Sequence, residues 1–118
     1  MGENQASDAL EAAGMKIIAK NFRSKFGEID IIAIDENSGS TLVFVEVKTW
    51  SAFGIEDLQY SIDTRKQQKI IKTAKYFMSE NRKYSNMSVR FDVVFVKNCL
   101  APEKCQITHL ASAFTERV

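Results

Sequence analysis

The chain has 118 residues, about one domain, and 45% of them are hydrophobic, which excludes an intrinsically disordered protein. No apolar run approaches the roughly 20 residues that span a bilayer, and the polar, acidic start lacks a signal-peptide pattern, so we expect a cytoplasmic protein without a membrane partner. The net charge of +1 conceals an acidic first half, with ten acids against five bases in residues 1–57, and a basic second half, with eleven bases against five acids.

The first predicted element is a helix over Gly2–Gly14, because small and apolar residues recur at helical spacing and Gly14 can end it. Glu3 lies in its first turn, where the helix dipole favours a carboxylate. From the residues alone, that favourable position is enough to explain Glu3.

Three strands are predicted next, over Lys16–Lys20, Glu28–Asp35 and Thr41–Thr49. A polar turn over residues 23–27 separates the first two, and a loop over residues 35–40 separates the second and third. Because that loop is short, we expect the second and third strands to pair antiparallel.

Charged residues interrupt the second and third strands, although both are otherwise apolar. Alternation puts Glu28 and Asp30 on the face of Ile32 and Ile34, and it puts Glu46 and Lys48 together on one face of the third strand. Antiparallel pairing then brings Asp30, Glu46 and Lys48 to one end of the sheet. Because burying an unpaired charge costs several kcal/mol or more, these acids need a structural partner, a metal ion or an exposed strand end.

A long helix is predicted over Ser61–Tyr84, with Ser61 or Asp63 as its N-cap. Its polar side is basic, which fits either an ordinary solvated face or binding to a nucleic-acid backbone. The bases on this side that we assign to nucleic-acid binding are Arg65, Lys66, Lys69 and Lys72. In the preceding irregular segment, Trp50 and Phe53 could stack on a base or cover the core.

The last part of the chain begins with a buried strand over Val89–Val96, in which Asp92 is expected to pair with Arg90 or Lys97. A short edge strand over Lys104–Leu110 and a closing turn or helix over Ala111–Val118 follow. The cysteines, Cys99 and Cys105, do not make a zinc set with the single histidine, His109, and free thiols are the default over a disulfide.

Two converging carboxylates with a lysine beside them suit a hard divalent cation and phosphodiester hydrolysis. Mg²⁺ prefers oxygen ligands, takes few protein carboxylates and leaves positions for water and phosphate. Lys48 could activate water or neutralise charge on the phosphate. The alternative is a Glu46–Lys48 surface ion pair worth under about 1 kcal/mol.

Asp30 with Glu46-Val47-Lys48 resembles the PD-(D/E)XK signature of restriction-endonuclease-like nucleases, whose core order αβββαβ is similar to the one predicted here. Over nearly its whole length, the chain more closely resembles the YraN-like family of small bacterial proteins. The stretches that carry this resemblance are Gly2-Glu3-x-x-Ala6, Asn21-x-Arg23, Gly27-Glu28-Ile29-Asp30, Val43-Phe44-Val45-Glu46-Val47-Lys48, the Lys66 helix, Arg90-Phe91-Asp92-Val93-Val94 and Ala113-Phe114.

The resemblance implies that Asp30, Glu46 and the Val47 carbonyl bind the metal and that Lys48 is the catalytic lysine. It also implies that Glu3 joins the site through water, as an acid of the first helix does in archaeal Holliday-junction resolvases of this fold. Glu28 would support the site, and Lys66 and Lys69 would approach phosphate. This chain has Trp50 where the family usually has a base, and it lacks a proline before Asp30.

We therefore expect a single α/β domain over residues 1–118, with a mixed sheet flanked by helices. The expected function is Mg²⁺- or Mn²⁺-dependent cleavage of DNA, including branched or distorted DNA, and a homodimer would suit symmetric cleavage of a junction. The alternatives are a non-catalytic nucleic-acid-binding module with the same fold and a structural partner protein with incidental charges.

Overall fold

The computed structural model describes residues 2–50, 62–97 and 106–115. These ranges form two α-helices and five strands in the order α1 β1 β2 β3 α2 β4 β5. The helices are α1 (Gly2–Ala12) and α2 (Thr64–Glu80), and the strands are β1 (Met15–Ser24), β2 (Gly27–Asp35), β3 (Thr41–Trp50), β4 (Ser88–Lys97) and β5 (Gln106–Phe114). Neither described helix is long and apolar enough to cross a membrane.

The strands form one mixed sheet in the order β1-β2-β3-β4-β5. β1, β2 and β3 pair antiparallel, as predicted for β2 with β3, whereas β3 and β4 are parallel, with Glu46 opposite Val93. α2 provides the crossover that a parallel pair requires. The prediction of a mixed sheet flanked by helices is therefore confirmed for the described residues.

Each helix covers one face of the sheet and closes one hydrophobic core. α1 buries Ala6 and Leu10 against alternate residues of the inner strands, among them Val43 and Val45. α2 closes a second buried set on the other face, made of Ile29, Ile32, Leu42, Phe44, Ile70, Ala74, Phe77 and Phe91. Since Leu42 and Phe44 face α2, Glu46 and Lys48 continue the same face of β3 toward the start of that helix.

Three predicted boundaries were wrong. β1 continues to Ser24, so the predicted turn over residues 23–27 shrinks to the two residues between the strands. α2 ends at Glu80, and a separate 3-10 turn occupies Arg82–Tyr84. β5 runs on through Ala111 to Phe114 instead of ending at Leu110, because the Phe114 ring stacks on Phe91 of β4 at 5.0 Å between ring centroids.

Strict alternation fails in the outer part of the β1–β2 hairpin. Ile29 packs in the same core as Ile32, three residues later, so the prediction of strict alternation along β2 is wrong at Ile29. At this point on β1, Asn21 has a φ of 54° and lies between the pairs Lys20–Ile31 and Phe22–Ile29, opposite Asp30. This left-handed conformation is unusual in a strand, and it coincides with the break in alternation.

We expect Asn21→Val to destabilise the protein by about 1–2 kcal/mol, because a β-branched residue strongly disfavours positive φ. Asn21→Gly should keep the parent stability and site, since glycine adopts this conformation freely. Urea unfolding of both variants measures the difference. Equal stability of the valine and glycine variants would contradict this role for Asn21.

Candidate active site

Four charged side chains meet where β2 and β3 lie beside the start of α2: Asp30, Glu46, Lys48 and Lys66. We call these residues the site. Lys66 Nζ lies 3.3 Å from Glu46 Oε2, and the Glu46 side chain is only 10% exposed. Asp30 lies close enough to Glu46, and Lys66 close enough to Lys48, for each to shift the pKa of its neighbour. The structure thus brings together the three residues that alternation placed at this end of the sheet and adds Lys66 from the helix.

The backbone of β3 holds Asp30 in place. The regular β2–β3 register ends at Ile31 opposite Val45, and the Val47 N–H on β3 donates to Asp30 Oδ2 at 2.7 Å. The Asp30 carboxylate therefore accepts the hydrogen bond that a backbone carbonyl of a neighbouring strand would otherwise accept from the Val47 N–H. This contact gives the carboxylate a fixed direction at the sheet end.

Lys66 is positioned by the cap of α2. Asp63, one of the two predicted N-caps, is the observed one, and its Oδ1 accepts a 2.9 Å hydrogen bond from the Lys66 N–H. Gln67 Nε2 donates to the Ile62 carbonyl at 3.1 Å and closes the same turn. A lysine in the first turn opposes the helix dipole, so its placement here is compensated by Glu46.

Burial, the hydrogen bond with Asp30 and the charge of Asp30 raise the pKa of Glu46 to about 8. Glu46 therefore holds its proton more tightly than a free carboxyl group does, because ionising it beside Asp30 brings two negative charges together. A divalent cation would satisfy the same pair of oxygens without the proton. The donor set therefore fits a hard metal ion.

The two lysines respond to their surroundings in opposite directions. Burial, then the hydrogen bond and charge of Lys66, lower the pKa of Lys48. For Lys66, burial also opposes the charge, but the hydrogen bond with Lys48 and the attraction of Glu46 outweigh it and raise the pKa. Lys48 is consequently the amine that more readily gives up its proton, and Lys66 is the one that keeps it.

The remaining predicted residues lie around the site or outside the described part. Arg65, Lys69 and Lys72 are exposed on α2. Glu28 is in an exposed pair with Arg23, at 3.2 Å between Arg23 Nε and Glu28 Oε2. The side chains of Glu3 and Trp50, and all of Phe53, Cys99 and Cys105, lie outside the described residues. Among the described residues, no three His, Cys, Asp or Glu side chains form a metal-binding group.

Sequence reasoning placed Lys66 near the phosphate of the substrate, but it missed two members of a second charged network. In this network Asp92 pairs with Arg90, which is one of its two predicted partners. Asp35 pairs with the same arginine, and His109 pairs with Asp92. Lys66 carried a signal, because a base in a first turn is unfavourable without a partner. Asp35 and His109 gave no such signal in the sequence, because their partners lie far away along the chain.

Comparison with known proteins identifies the family. A profile described as "Uncharacterised protein family UPF0102" matches residues 2–96. A UPF0102 protein of Treponema denticola is 43% identical over 118 residues, covering 96% of this chain and 91% of its own length. UPF0102 proteins of Treponema pallidum and Persephonella marina are each 40% identical, over 99% and 96% of this chain and 91% and 89% of their own lengths. The chain therefore belongs to the UPF0102 family, which confirms its resemblance to the YraN-like proteins.

Proposed function

We propose that this protein is a divalent-metal-dependent endonuclease with a restriction-endonuclease-like fold, which hydrolyses phosphodiester bonds in DNA, including branched or distorted DNA. The observation that carries the proposal is the convergence of Asp30, Glu46, Lys48 and Lys66 at one end of the sheet. The exposed bases of α2 begin within one helical turn of this site.

Asp30, Glu46 and the Val47 carbonyl would hold Mg²⁺ or Mn²⁺, with Glu3 contributing through water. The chemistry that a bound ion supplies is polarisation of a phosphate oxygen and a more acidic water. Support comes from the two carboxylates themselves, because Asp30 raises the pKa of Glu46 and a cation between them would relieve that repulsion. Hard oxygen ligands of this kind suit both ions.

The chain's own residues would orient the metal ligand Asp30, move the proton and bind the phosphates. The Val47 N–H orients Asp30, and Lys48, whose pKa burial lowers, would take a proton from the attacking water. Lys66 keeps its charge and is 41% exposed, so a phosphate oxygen can reach it. Arg65, Lys69 and Lys72 would neutralise further phosphates along the strand, which predicts binding that weakens with salt.

We expect the parent protein to cut labelled linear, single-stranded or four-way DNA in Mg²⁺ or Mn²⁺, and Glu46→Gln to lose this cleavage. Calorimetry with Mn²⁺ should show the matching loss of metal affinity, because an amide is a much poorer ligand than a carboxylate. Glu36→Gln, an exposed acid in the β2–β3 loop, is the matched control. Cleavage of none of these DNAs, or full cleavage by Glu46→Gln, would overturn the proposal.

The second candidate is a nucleic-acid-binding module that keeps the fold without catalysis. It is favoured by the Lys66–Glu46 pair, because the two lysines of the site balance the charges of its two carboxylates without a metal. This candidate predicts salt-sensitive DNA binding that disappears in a Lys66, Lys69 and Lys72 triple methionine variant. It also predicts no cleavage with either metal, which separates it from the nuclease.

A further inference from the structure

An aromatic cluster forms where the tip of the β1–β2 hairpin meets α2, from Phe22 and Phe26 of the hairpin and Tyr76 of the helix. The Tyr76 ring lies 6.2 Å between centroids from both Phe22 and Phe26. Phe22 is anchored below by the core residue Phe77, at 5.1 Å in an edge-to-face contact. Tyr76 itself is 37% exposed, so the cluster presents a supported aromatic surface to solvent.

The hairpin is pressed closely against α2 at Gly27. A side chain at this position would contact Thr73 Oγ1 at 3.4 Å and Lys69 Cβ at 3.7 Å. Asp30 follows Gly27 by three positions on β2, which is about 10 Å of strand. The aromatic cluster therefore lies beside the site, at the same end of β2.

Basic side chains surround the cluster and connect it with the site. Lys25 Nζ lies 5.2 Å from the Phe26 ring centroid. On α2, Arg65, Lys69, Lys72 and Tyr76 are all exposed and fall within about 60° of one another around the helix axis. The one acid on this stripe, Glu80, lies one turn beyond Tyr76 and away from the site.

We propose that Phe22, Phe26 and Tyr76 stack on an unpaired base of a DNA strand whose backbone follows the Arg65–Lys69–Lys72 stripe from the site. This inference rests on the proposed function and adds to it a substrate class: DNA with unpaired nucleotides next to the scissile bond. Aromatic rings beside a basic track bind single strands irrespective of sequence, because every base has a flat face. The positive charge around the rings favours a polyanion over a protein partner.

The test measures binding in EDTA, so that it does not depend on cleavage. A single-stranded oligonucleotide with one fluorescent adenine analogue, a perfect duplex and a duplex with an unpaired flap are titrated with parent protein and variants. Tyr76→Leu combined with Phe26→Leu should bind the single strand and flap about tenfold more weakly, because stacking contributes substantially per base. The adenine analogue should be quenched by the parent and not by this double variant.

Tyr76→Phe keeps the ring and should keep both the affinity and the quenching. Leu110→Thr, at a 47% exposed position on β5, is the control for loss of an exposed apolar side chain. Unfolding curves establish whether the double variant is folded, and Tyr76→Leu alone, at an exposed position, replaces it if it is not. Single-strand binding by these leucine variants that equals the parent's overturns the stacking inference.

The two proposals fail in different ways. If the parent cuts duplex DNA but neither binds single strands more tightly nor quenches the analogue, only the stacking inference is wrong. If the parent binds and quenches the single strand but cuts no DNA in either metal, only the nuclease proposal is wrong.

Discussion

Replacing Lys48 with methionine is expected to slow DNA cleavage by about 10²–10⁴-fold, the contribution typical of a positioned general acid or base. Methionine has nearly the same length and apolar stem but carries no amine. Lys48 is half-buried beside Lys66, and burial lowers its pKa. Cleavage rates with saturating DNA and Mn²⁺ measure the effect, and calorimetry should show that Mn²⁺ binding is kept.

Lys48→Arg separates two roles for this side chain. A guanidinium keeps a positive charge but does not give up its proton near neutral pH. If Lys48 takes a proton from water, the arginine variant will be as slow as the methionine variant, whereas charge stabilisation alone would restore part of the rate. The matched control is Lys16→Met. Lys16 lies on β1 opposite Ile34, at the end of the sheet away from the site. Parent-like cleavage by Lys48→Met would exclude a catalytic role.

The site could be predicted from sequence to the extent that it depends on periodicity. Because side chains alternate along β3, Glu46 lies on the same face as Leu42 and Phe44, and it contacts Lys66 of α2 on that face. Asp30 reaches the same place, but through a hairpin that breaks alternation at Asn21. A left-handed asparagine in a strand has no periodic signal, and it is recognised only from the backbone.

The extent of the strands was harder to predict than their existence. β5 is extended by packing of Phe114 on Phe91, two residues that are distant in sequence and lie on different strands. Local propensity cannot anticipate such a contact, because its energy depends on the final fold. Asp35 and His109 were missed as members of the charged network around Asp92 for the same reason, since Asp35 and Arg90 are 55 positions apart.

Among the polar contacts of the described residues, the network around Asp92 is the one whose loss we expect to lower the free energy of unfolding most. Asp92 is fully buried, and its Oδ1 accepts hydrogen bonds from Arg90 Nε at 2.9 Å and from the Ser112 N–H at 3.0 Å. Its Oδ2 accepts from Arg90 Nη2 at 3.0 Å and lies 2.6 Å from His109 Nε2. Arg90 Nη1 also donates to Asp35 Oδ2 at 2.9 Å. The network therefore joins β2, β4 and β5.

We expect Arg90→Met to lower the free energy of unfolding by about 3–5 kcal/mol, because it leaves a buried carboxylate without its main partner. Urea unfolding at neutral pH measures this loss. Arg82→Met, an exposed base, should change stability by no more than about 0.5 kcal/mol. The double variant Arg90→Met with Asp92→Leu should regain much of the loss, because it removes the unpaired charge as well. A double variant less stable than Arg90→Met alone would show that the charge itself is not the cause.

The same network predicts how stability changes with acid. Burial opposes the charge of Asp92, but hydrogen bonds from His109, Arg90 and the Ser112 N–H outweigh it and lower the pKa below its ordinary value of 3.8. A carboxyl whose pKa is lower in the folded state stabilises the protein fully above that ordinary value and loses the contribution as pH falls below it. The parent should therefore lose stability steeply below about pH 4, and Asp92→Asn should show a shallower slope there. Parallel slopes for the two proteins would contradict this assignment, because the asparagine side chain has no proton to bind.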